Sequence, residues 1–327
     1  MTTSTQDSAP EDREATAEDF NSGFRKLNDE SETRRGGPEP EQIKGAISEI
    51  YNGVASWSAK GDFWNWGLHD EEVLAEIDSL LPGCCQHDTD GLSEQLYYQA
   101  LRAVPIPVDG YAGKSVLEVG CGLGEGLNFA SRLVNASEIV GMDLSQAAID
   151  RANARLSRGE QLRFAQGDAE SLPFPDSTFD VVLNVESSHN YPDLGGFLRE
   201  AARVLKPGGY LSHVDLFTEQ SNAHLVQLKQ EDSELDWIEE IDITERVRAA
   251  IRKRLEPGSF YRQNFSAKKL PLKTRIMMGS GGSHLAGADF VGHRDLLDRV
   301  LEATRIRPKR IQTEYHSYRH NVARKKA

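Results

Sequence analysis

Three acidic residues end or follow short apolar runs that are typical of buried strands. Glu118 lies near the end of the run VLEV, Asp143 ends EIVGMD, and Asp168 follows QLRFAQG. The carboxyl ends of parallel strands meet at one edge of an α/β sheet, where such sheets bind their ligands. Because carboxylates accept hydrogen bonds from hydroxyl and amino groups, this pattern predicts a ligand that carries donors or positive charge.

A glycine-rich turn follows Glu118. Gly120, Gly122 and Gly124 alternate in the sequence EVGCGLG, so the chain can turn tightly and approach a ligand before the next helix begins. A dinucleotide fingerprint, G-x-G-x-x-G/A, would need glycine or alanine where this chain has Glu125. A carboxylate there would face a pyrophosphate. The turn therefore favours a ligand with an amine or a positive charge.

The predicted fourth strand, FDVVLNV, is followed by two candidates for a general base, a group that removes a proton from a reacting atom. His189 is the first candidate, because an imidazole titrates near neutral pH. Glu186 is its rival, either as the base or as a carboxylate that stabilises a cationic intermediate. Tyr191, His213 and His284 are weaker candidates.

Four segments, taken in order, resemble the class I S-adenosylmethionine (SAM) dependent methyltransferases: EVGCGLG, GMDLS, GDAESLPFPDSTFDVV and REAARVLKPGGYL. Together they cover about one hundred residues. The chain looks most like the small-molecule branch, near the sterol, tocopherol and phthiotriol-type enzymes. Sterol and tocopherol enzymes read E-x-x-x-H-x-P-D, whereas Asn190 takes the usual place of the histidine here. The resemblance implies SAM as the cofactor and an α/β, Rossmann-like, seven-stranded, mostly parallel sheet with an antiparallel strand seven.

The resemblance also implies roles for single residues. Glu118 accepts from the amino group of the methionine moiety, Asp143 accepts from the ribose hydroxyls, and Asp168 accepts from the adenine amino group. Asn184 offers its backbone carbonyl at the end of the fourth strand. The turn glycines and two neighbours of the acids complete the expected cofactor site: Gly120, Gly122, Gly124, Leu144 and Ala169.

Composition argues against several other classes. The net charge of −13 and the pI near 5.2 argue against a nucleic-acid groove, which would need a basic face. Three cysteines give no disulfide framework, which favours the cytoplasm, and no apolar run approaches the ~20 residues of a membrane span. No metal site is predicted, since Cys84, Cys85 and His87 lack the spacing of a zinc module. The oligomeric state is left open, with a homodimer as one option.

Five regions are predicted along the chain. Residues 1–41 form a disordered acidic tail, 42–110 an N-terminal helical cap, and 111–218 the SAM-binding α/β core. Residues 219–285 form a largely helical lid inserted between strands five and six, and 286–327 complete the core. The last region is expected to contain a helix and an edge hairpin, over 290–303, 307–314 and 317–324.

The sequence thus predicts a SAM-dependent methyltransferase that acts on a small, apolar secondary metabolite. A hydroxyl oxygen is the favoured acceptor atom. The methyl group of SAM is already activated, so the protein has to align the acceptor and remove its proton, and no metal is needed. Two alternatives stay open: carbon or nitrogen methylation on the same scaffold, or a SAM-fold protein with other chemistry, such as a cyclase.

Overall fold

A computed structural model of the chain describes residues 40–57, 63–85, 89–264, 287–293 and 315–327. Its strands are Ser115–Val119 (β1), Glu138–Asp143 (β2), Leu162–Gln166 (β3), Phe179–Val185 (β4), Leu205–Phe217 (β5), Leu235–Asp242 (β6) and Ser317–Lys325 (β7). Its α-helices are Pro40–Trp57 (α1), Glu71–Leu80 (α2), Leu92–Arg102 (α3), Glu125–Leu133 (α4), Gln146–Leu156 (α5), Leu194–Val204 (α6), Glu219–Glu231 (α7), Thr244–Leu255 (α8) and Phe260–Asn264 (α9). Short 3-10 turns cover Val108–Tyr111, Ser188–Asn190 and Ala288–Val291.

The seven strands form one open sheet in the order β3-β2-β1-β4-β5-β7-β6. Strand β7 runs antiparallel to both of its neighbours, and the other pairings are parallel. This confirms the expected mostly parallel sheet with an antiparallel strand seven. The strand order reverses between β1 and β4, which is the point where open α/β sheets bind ligands.

Both faces of the central strands are covered, which explains their nearly continuous apolar sequences. Successive residues of a strand point to opposite faces. On β1 and β4, Val116 and Val181 therefore pack with one cluster of the core, while Leu117 and Val182 pack with another. Within the described ranges, no helix is long and apolar enough to cross a bilayer.

The structure corrects the prediction for the segment after β5. The lid expected over residues 219–285 is interrupted by β6, whose sequence LDWIEEID was read as helical. Within the described residues, strand β6 is at the edge of the sheet and pairs with β7 alone, so its mixture of polar and apolar residues hides the strand pattern. Leu235 is buried, whereas Ile238 is 47% exposed.

The end of the chain also differs from the prediction. The strand expected over 317–324 is confirmed as β7, but it lies between β5 and β6 rather than at the edge. The strand expected over 307–314 and most of the helix expected over 290–303 lie outside the described residues.

Candidate functional site

A cavity lies at the carboxyl ends of β1, β2 and β4. Its empty volume, which includes space open to solvent, is about 920 Å³. The predicted site residues that line it are Gly120, Gly122, Asp143, Leu144, Asp168, Ala169 and Glu186. Four other predicted residues are not among the lining residues: Glu118, Gly124, Asn184 and His189.

The glycine turn forms one wall of the cavity and requires glycine for two reasons. Gly120 has a φ of 79°, a left-handed conformation that side chains disfavour. A Cβ atom on Gly120 would also lie 1.9 Å from the hydroxyl oxygen of Ser187. A Cβ atom on Gly122 would lie 2.9 Å from the ring of Trp64. The backbone at Gly120 and Gly122 therefore lies too close to Ser187 and Trp64 to leave room for a side chain.

Asp143 holds this turn in place from the end of β2. Its two carboxylate oxygens accept hydrogen bonds from the backbone amides of Gly122 and Ser145, each at 2.8 Å. Burial raises the pKa of Asp143 above its ordinary value, although these amide bonds oppose the shift. Each oxygen has a second lone pair, so the carboxylate can still accept from two vicinal hydroxyl groups of a ligand.

Glu118 is fully buried and meets the cavity through a tyrosine. The hydroxyl of Tyr97, on α3, donates to Glu118 Oε1 at 2.7 Å, and Tyr97 itself lines the cavity. The other oxygen, Oε2, is buried without a hydrogen-bond partner. Burial raises the pKa of Glu118 to about 8. A buried carboxylate oxygen without a donor is energetically costly.

Asp168 is paired with a residue that the sequence analysis missed. The ammonium group of Lys44, on α1, lies 2.6 Å from Asp168 Oδ2 and 2.8 Å from Glu170 Oε2. Among the described residues that line the cavity, Lys44 is the one basic residue, and both carboxylates engage it. The cavity therefore offers poor electrostatic support for a polyphosphate, in agreement with the glycine spacing.

Asn184 ties the ends of two strands together. Its side-chain amide donates to the carbonyl oxygen of Val119 at 2.8 Å and to the hydroxyl of Tyr191 at 3.0 Å. The side chain is fully buried. Its position beneath the turn indicates support for the cavity wall, and the expected contact through its backbone carbonyl stays a prediction.

His189 forms a hydrogen-bonded pair with Asp215 of β5. Nδ1 of His189 lies 2.8 Å from Asp215 Oδ1, and the backbone amide of His189 donates to Oδ2 at 3.0 Å. Burial alone would lower the pKa of His189, but Asp215 raises it above its ordinary value. Burial alone would raise the pKa of Asp215, but His189 holds it below its ordinary value.

Asn190 stands between this pair and the cavity. If Nδ1 of His189 donates to Asp215, Nε2 is an acceptor, and the amide of Asn190 lies 2.9 Å from it. The same amide nitrogen donates to the hydroxyl of Tyr51 at 3.2 Å, and both Asn190 and Tyr51 line the cavity. Asn190 thus lies between Nε2 of His189 and the cavity.

Glu186 lines the cavity directly. Its backbone has a φ of 52°, which is strained for a residue other than glycine and is often associated with functional sites. Its Oε2 accepts from the backbone amide of Trp66 at 2.7 Å and from the hydroxyl of Tyr318 at 2.6 Å. Burial raises the pKa of Glu186 to about 7. A carboxyl with this pKa can exchange a proton near neutral pH.

The weaker base candidates occupy different positions. Tyr191 lines the cavity, and burial raises the pKa of its hydroxyl far above the ordinary value. His213 is fully buried behind Ser188, and burial lowers its pKa to about 4. His284 lies outside the described residues.

Sequence reasoning did not identify the partners that come from distant segments: Lys44, Tyr97, Asp215 and Tyr318. The aromatic and charged residue types were visible, but nothing in their local spacing indicates a contact across the fold. In the described part of the chain, no group of three or more His, Cys, Asp or Glu side chains is arranged to hold a metal ion.

The central region is similar in sequence to known methyltransferases. Residues 117–213 match a family model described as "Methyltransferase domain". The phthiotriol/phenolphthiotriol dimycocerosates methyltransferase of Mycobacterium tuberculosis is 40% identical over 154 residues, which is 47% of this chain and 53% of that protein. The fatty-acid O-methyltransferase of Mycolicibacterium smegmatis is 39% identical over 153 residues, 47% of this chain and 52% of that protein. The chain spans about half the length of the curated relatives it matches.

The fold is shared with solved methyltransferase structures. Geranyl diphosphate C-methyltransferase from Streptomyces coelicolor A3(2), solved with Mg²⁺, geranyl diphosphate and S-adenosyl-L-homocysteine, superposes with a TM-score of 0.55 at 17% identity. The match covers 88% of this chain and 99% of that one. Residues 117–213 therefore match a methyltransferase domain model, and the chain has the fold of a class I methyltransferase.

Proposed function

We propose that this chain, which carries a methyltransferase domain, is a SAM-dependent methyltransferase. The observation that carries the proposal is the arrangement of acceptors around the glycine turn. Asp143 and Asp168 line the cavity at two strand ends, and a buried oxygen of Glu118 has no partner beside it. Such a set suits a ligand with vicinal hydroxyls, an exocyclic amine and a cationic amine.

SAM has these groups together with a positively charged sulfonium, and the lining of the cavity suits that charge. Tyr51, Trp64 and Tyr97 line the cavity, and aromatic faces attract cations. The rings of Tyr51 and Trp64 lie 5.3 Å apart. The amine of the methionine moiety would pair with Glu118, the ribose with Asp143, and the adenine amine with Asp168. Leu144 and Ala169 would border the adenine.

SAM supplies a methyl group on a sulfonium that a nucleophile can attack directly. The residues of this chain then have to position the acceptor and take its proton. We assign the proton to Nε2 of His189, with Asp215 holding the Nδ1 hydrogen and stabilising the imidazolium that forms. Asn190 has to turn aside for this step, because its amide now lies on Nε2. Glu186 is the alternative base, because its raised pKa suits proton transfer near pH 7.

The acceptor is proposed to be a small, largely apolar secondary metabolite with a hydroxyl or carboxyl oxygen. Two relatives carry names that refer to lipid-type substrates, and one of them is named an O-methyltransferase. Apolar and aromatic side chains line the cavity, among them Ile47, Phe63 and Trp64. Apolar walls of this kind favour an apolar acceptor and exclude water. The proposed location is the cytoplasm, and a homodimer is one of the arrangements open to it.

The test is transfer of a labelled methyl group. Purified protein would be incubated with methyl-labelled SAM and a panel of long-chain fatty acids and phenolic lipids, and the products identified by mass spectrometry. We expect a product that carries the label on oxygen and an equal amount of S-adenosylhomocysteine. A label on carbon or nitrogen would replace O-methylation with the alternative chemistry. Conversion of acceptors without any transfer of label would favour a non-methylating reaction such as cyclisation.

A further inference from the structure

Helix α1 forms a wall of the cavity although it precedes the methyltransferase domain in the chain. The residues that line the cavity from this helix are Lys44, Ile47, Ser48 and Tyr51. Their spacing of three and four residues places them on one face of the helix. The helix therefore covers the cavity from the side of β2 and β3, where the proposed adenine end of the site lies.

Polar contacts hold the helix near its two ends. At the C-terminal end, Asn52 accepts hydrogen bonds from Ser145 and from the backbone amide of Ala147, and Arg151 donates to the carbonyl of Ala55. At the N-terminal end, Lys44 contacts two carboxylates. Apolar packing adds to these contacts: Ala46, Ile50 and Ala55 are buried, and Ala55 packs in a small cluster with Leu123 and Ala148.

The contact at the N-terminal end engages the carboxylate that is assigned to adenine. Asp168 Oδ2 pairs with Lys44, and Asp168 Oδ1 accepts from the backbone amide of Glu170 at 2.9 Å. A carboxylate has about four acceptor positions, so Asp168 can hold Lys44 and a ligand amine together. Glu170 is fixed in turn, because its Oε1 accepts from the backbone amide of Asp193 at 2.8 Å.

We propose that Lys44 is a positioning residue that fastens α1 over the bound cofactor and slows cofactor exchange. Lys44 acts through Asp168, which contacts Lys44 of α1 and, in the proposed complex, the amino group of adenine. Closure of α1 and retention of the cofactor therefore favour each other. This inference rests on the proposed function, because it takes the cavity to be the SAM site.

The charges around Lys44 support a strong contact. The Lys44 side chain is 13% exposed, and the side chain of Glu170 is 11% exposed, so water screens the pair only weakly. Removal of the ammonium group would leave two carboxylates, Asp168 and Glu170, close to each other at the rim of the cavity. Interactions of this kind act chiefly on the dissociation rate of a ligand.

The experiment measures release of S-adenosylhomocysteine by stopped-flow fluorescence, with Trp64 in the cavity wall as the reporter. In Lys44→Met we expect dissociation to be about 10-fold faster or more, and in Lys44→Arg within about 3-fold of wild type, because arginine can pair with both carboxylates. The KM for SAM should rise in Lys44→Met without a fall in kcat.

Two further variants separate this role from general stability. Arg163→Met removes an ion pair with Glu138 of similar length, 2.8 Å, between β2 and β3, and should leave release unchanged. Glu170→Gln should speed the release of S-adenosylhomocysteine less than Lys44→Met does. It replaces Lys44→Met in the test if that variant does not fold.

An unchanged dissociation rate in Lys44→Met, or in Glu170→Gln if only that variant folds, would overturn the inference. Tighter binding in either variant would also overturn it, since Lys44 would then compete with adenine. Failure of the wild type to bind S-adenosylhomocysteine would instead reject the proposed function.

Discussion

The two halves of the cavity are built in different ways. The turn half contains Glu118, the glycines and Asp143, and all of these come from one continuous βαβ unit. The half with the proposed acid–base groups is assembled from separated segments. Glu186 meets the backbone of Trp66 and the hydroxyl of Tyr318, and His189 meets Asp215 of β5.

This difference separates two kinds of constraint. The turn half depends on how closely the backbone of Gly120 approaches Ser187, so its requirement is steric and a small change should abolish binding. The acid–base half depends on charge and proton position. Substitutions in the acid–base half should leave cofactor binding intact and alter the turnover rate and its dependence on pH.

The largest effect is expected in the turn half, from Gly120→Val. The new side chain would overlap Ser187 and would have to adopt a φ of 79°, so we expect no measurable SAM binding and a loss of methyl transfer greater than about 1000-fold. Calorimetric titration with S-adenosylhomocysteine measures binding. Gly113→Ala is the matched control: its φ is 76°, but a Cβ atom there meets nothing within 4 Å. Equal loss of binding in both variants would show that general backbone strain, and not closure of the cavity, is responsible.

A large effect on turnover is expected in the other half from Asp215→Asn. Loss of the carboxylate removes the partner that holds the Nδ1 hydrogen of His189, so kcat should fall about 10²- to 10⁴-fold while SAM affinity changes little. Asp215 raises the pKa of His189, and the base works only when it is neutral, so wild-type activity should fall as the pH drops through this raised pKa. In Asp215→Asn, the fall in activity on the acidic side of the pH profile should occur at lower pH. Asp180→Asn, in an acid that pairs with Lys206 outside the cavity lining, should change neither kcat nor the pH profile.

A comparison of His189→Ala with Glu186→Gln distinguishes the two base candidates. We expect His189→Ala to reduce kcat about 100-fold or more with an unchanged KM for SAM. Glu186→Gln should retain roughly a tenth of the activity or more, because its neutral amide can still bond to Tyr318. Near-normal turnover in His189→Ala would remove His189 as the base and promote Glu186.

The smallest effect is expected from Glu118→Gln. A bound ligand amine would favour the charged form of the carboxyl, which the amide cannot adopt, so SAM affinity should fall about 10-fold. Burial raises the pKa of Glu118 to about 8, so between about pH 4.5 and 8 the folded state binds more protons than the unfolded state, and this residue makes stability fall as the pH rises. In Glu118→Gln the side chain does not titrate, so this fall in stability does not occur. The variant's free energy of unfolding at pH 8 should exceed that of the wild type by on the order of 1 kcal/mol, whereas at pH 4.5 the two should agree.

The predictability of each part follows from how local its cause is. Strands β1 and β4 were predictable, because burial on both faces selects continuous apolar runs. Strand β6 was not, since Ile238 and its neighbours belong to a half-exposed edge. The glycines and Asp143 were predictable because a tight turn after a strand restricts residue type at adjacent positions. Lys44 and Tyr318 were not, because their contacts with Asp168 and Glu186 join residues more than a hundred positions apart.

The central claim is that the cavity beside the glycine turn binds SAM and not a dinucleotide. Isothermal titration of the wild-type chain with S-adenosylhomocysteine and, separately, with NAD tests it most directly. The account predicts saturable binding of one S-adenosylhomocysteine per chain, retained in Gly113→Ala and lost in Gly120→Val, and no heat from NAD. Binding of NAD with none of S-adenosylhomocysteine would contradict it.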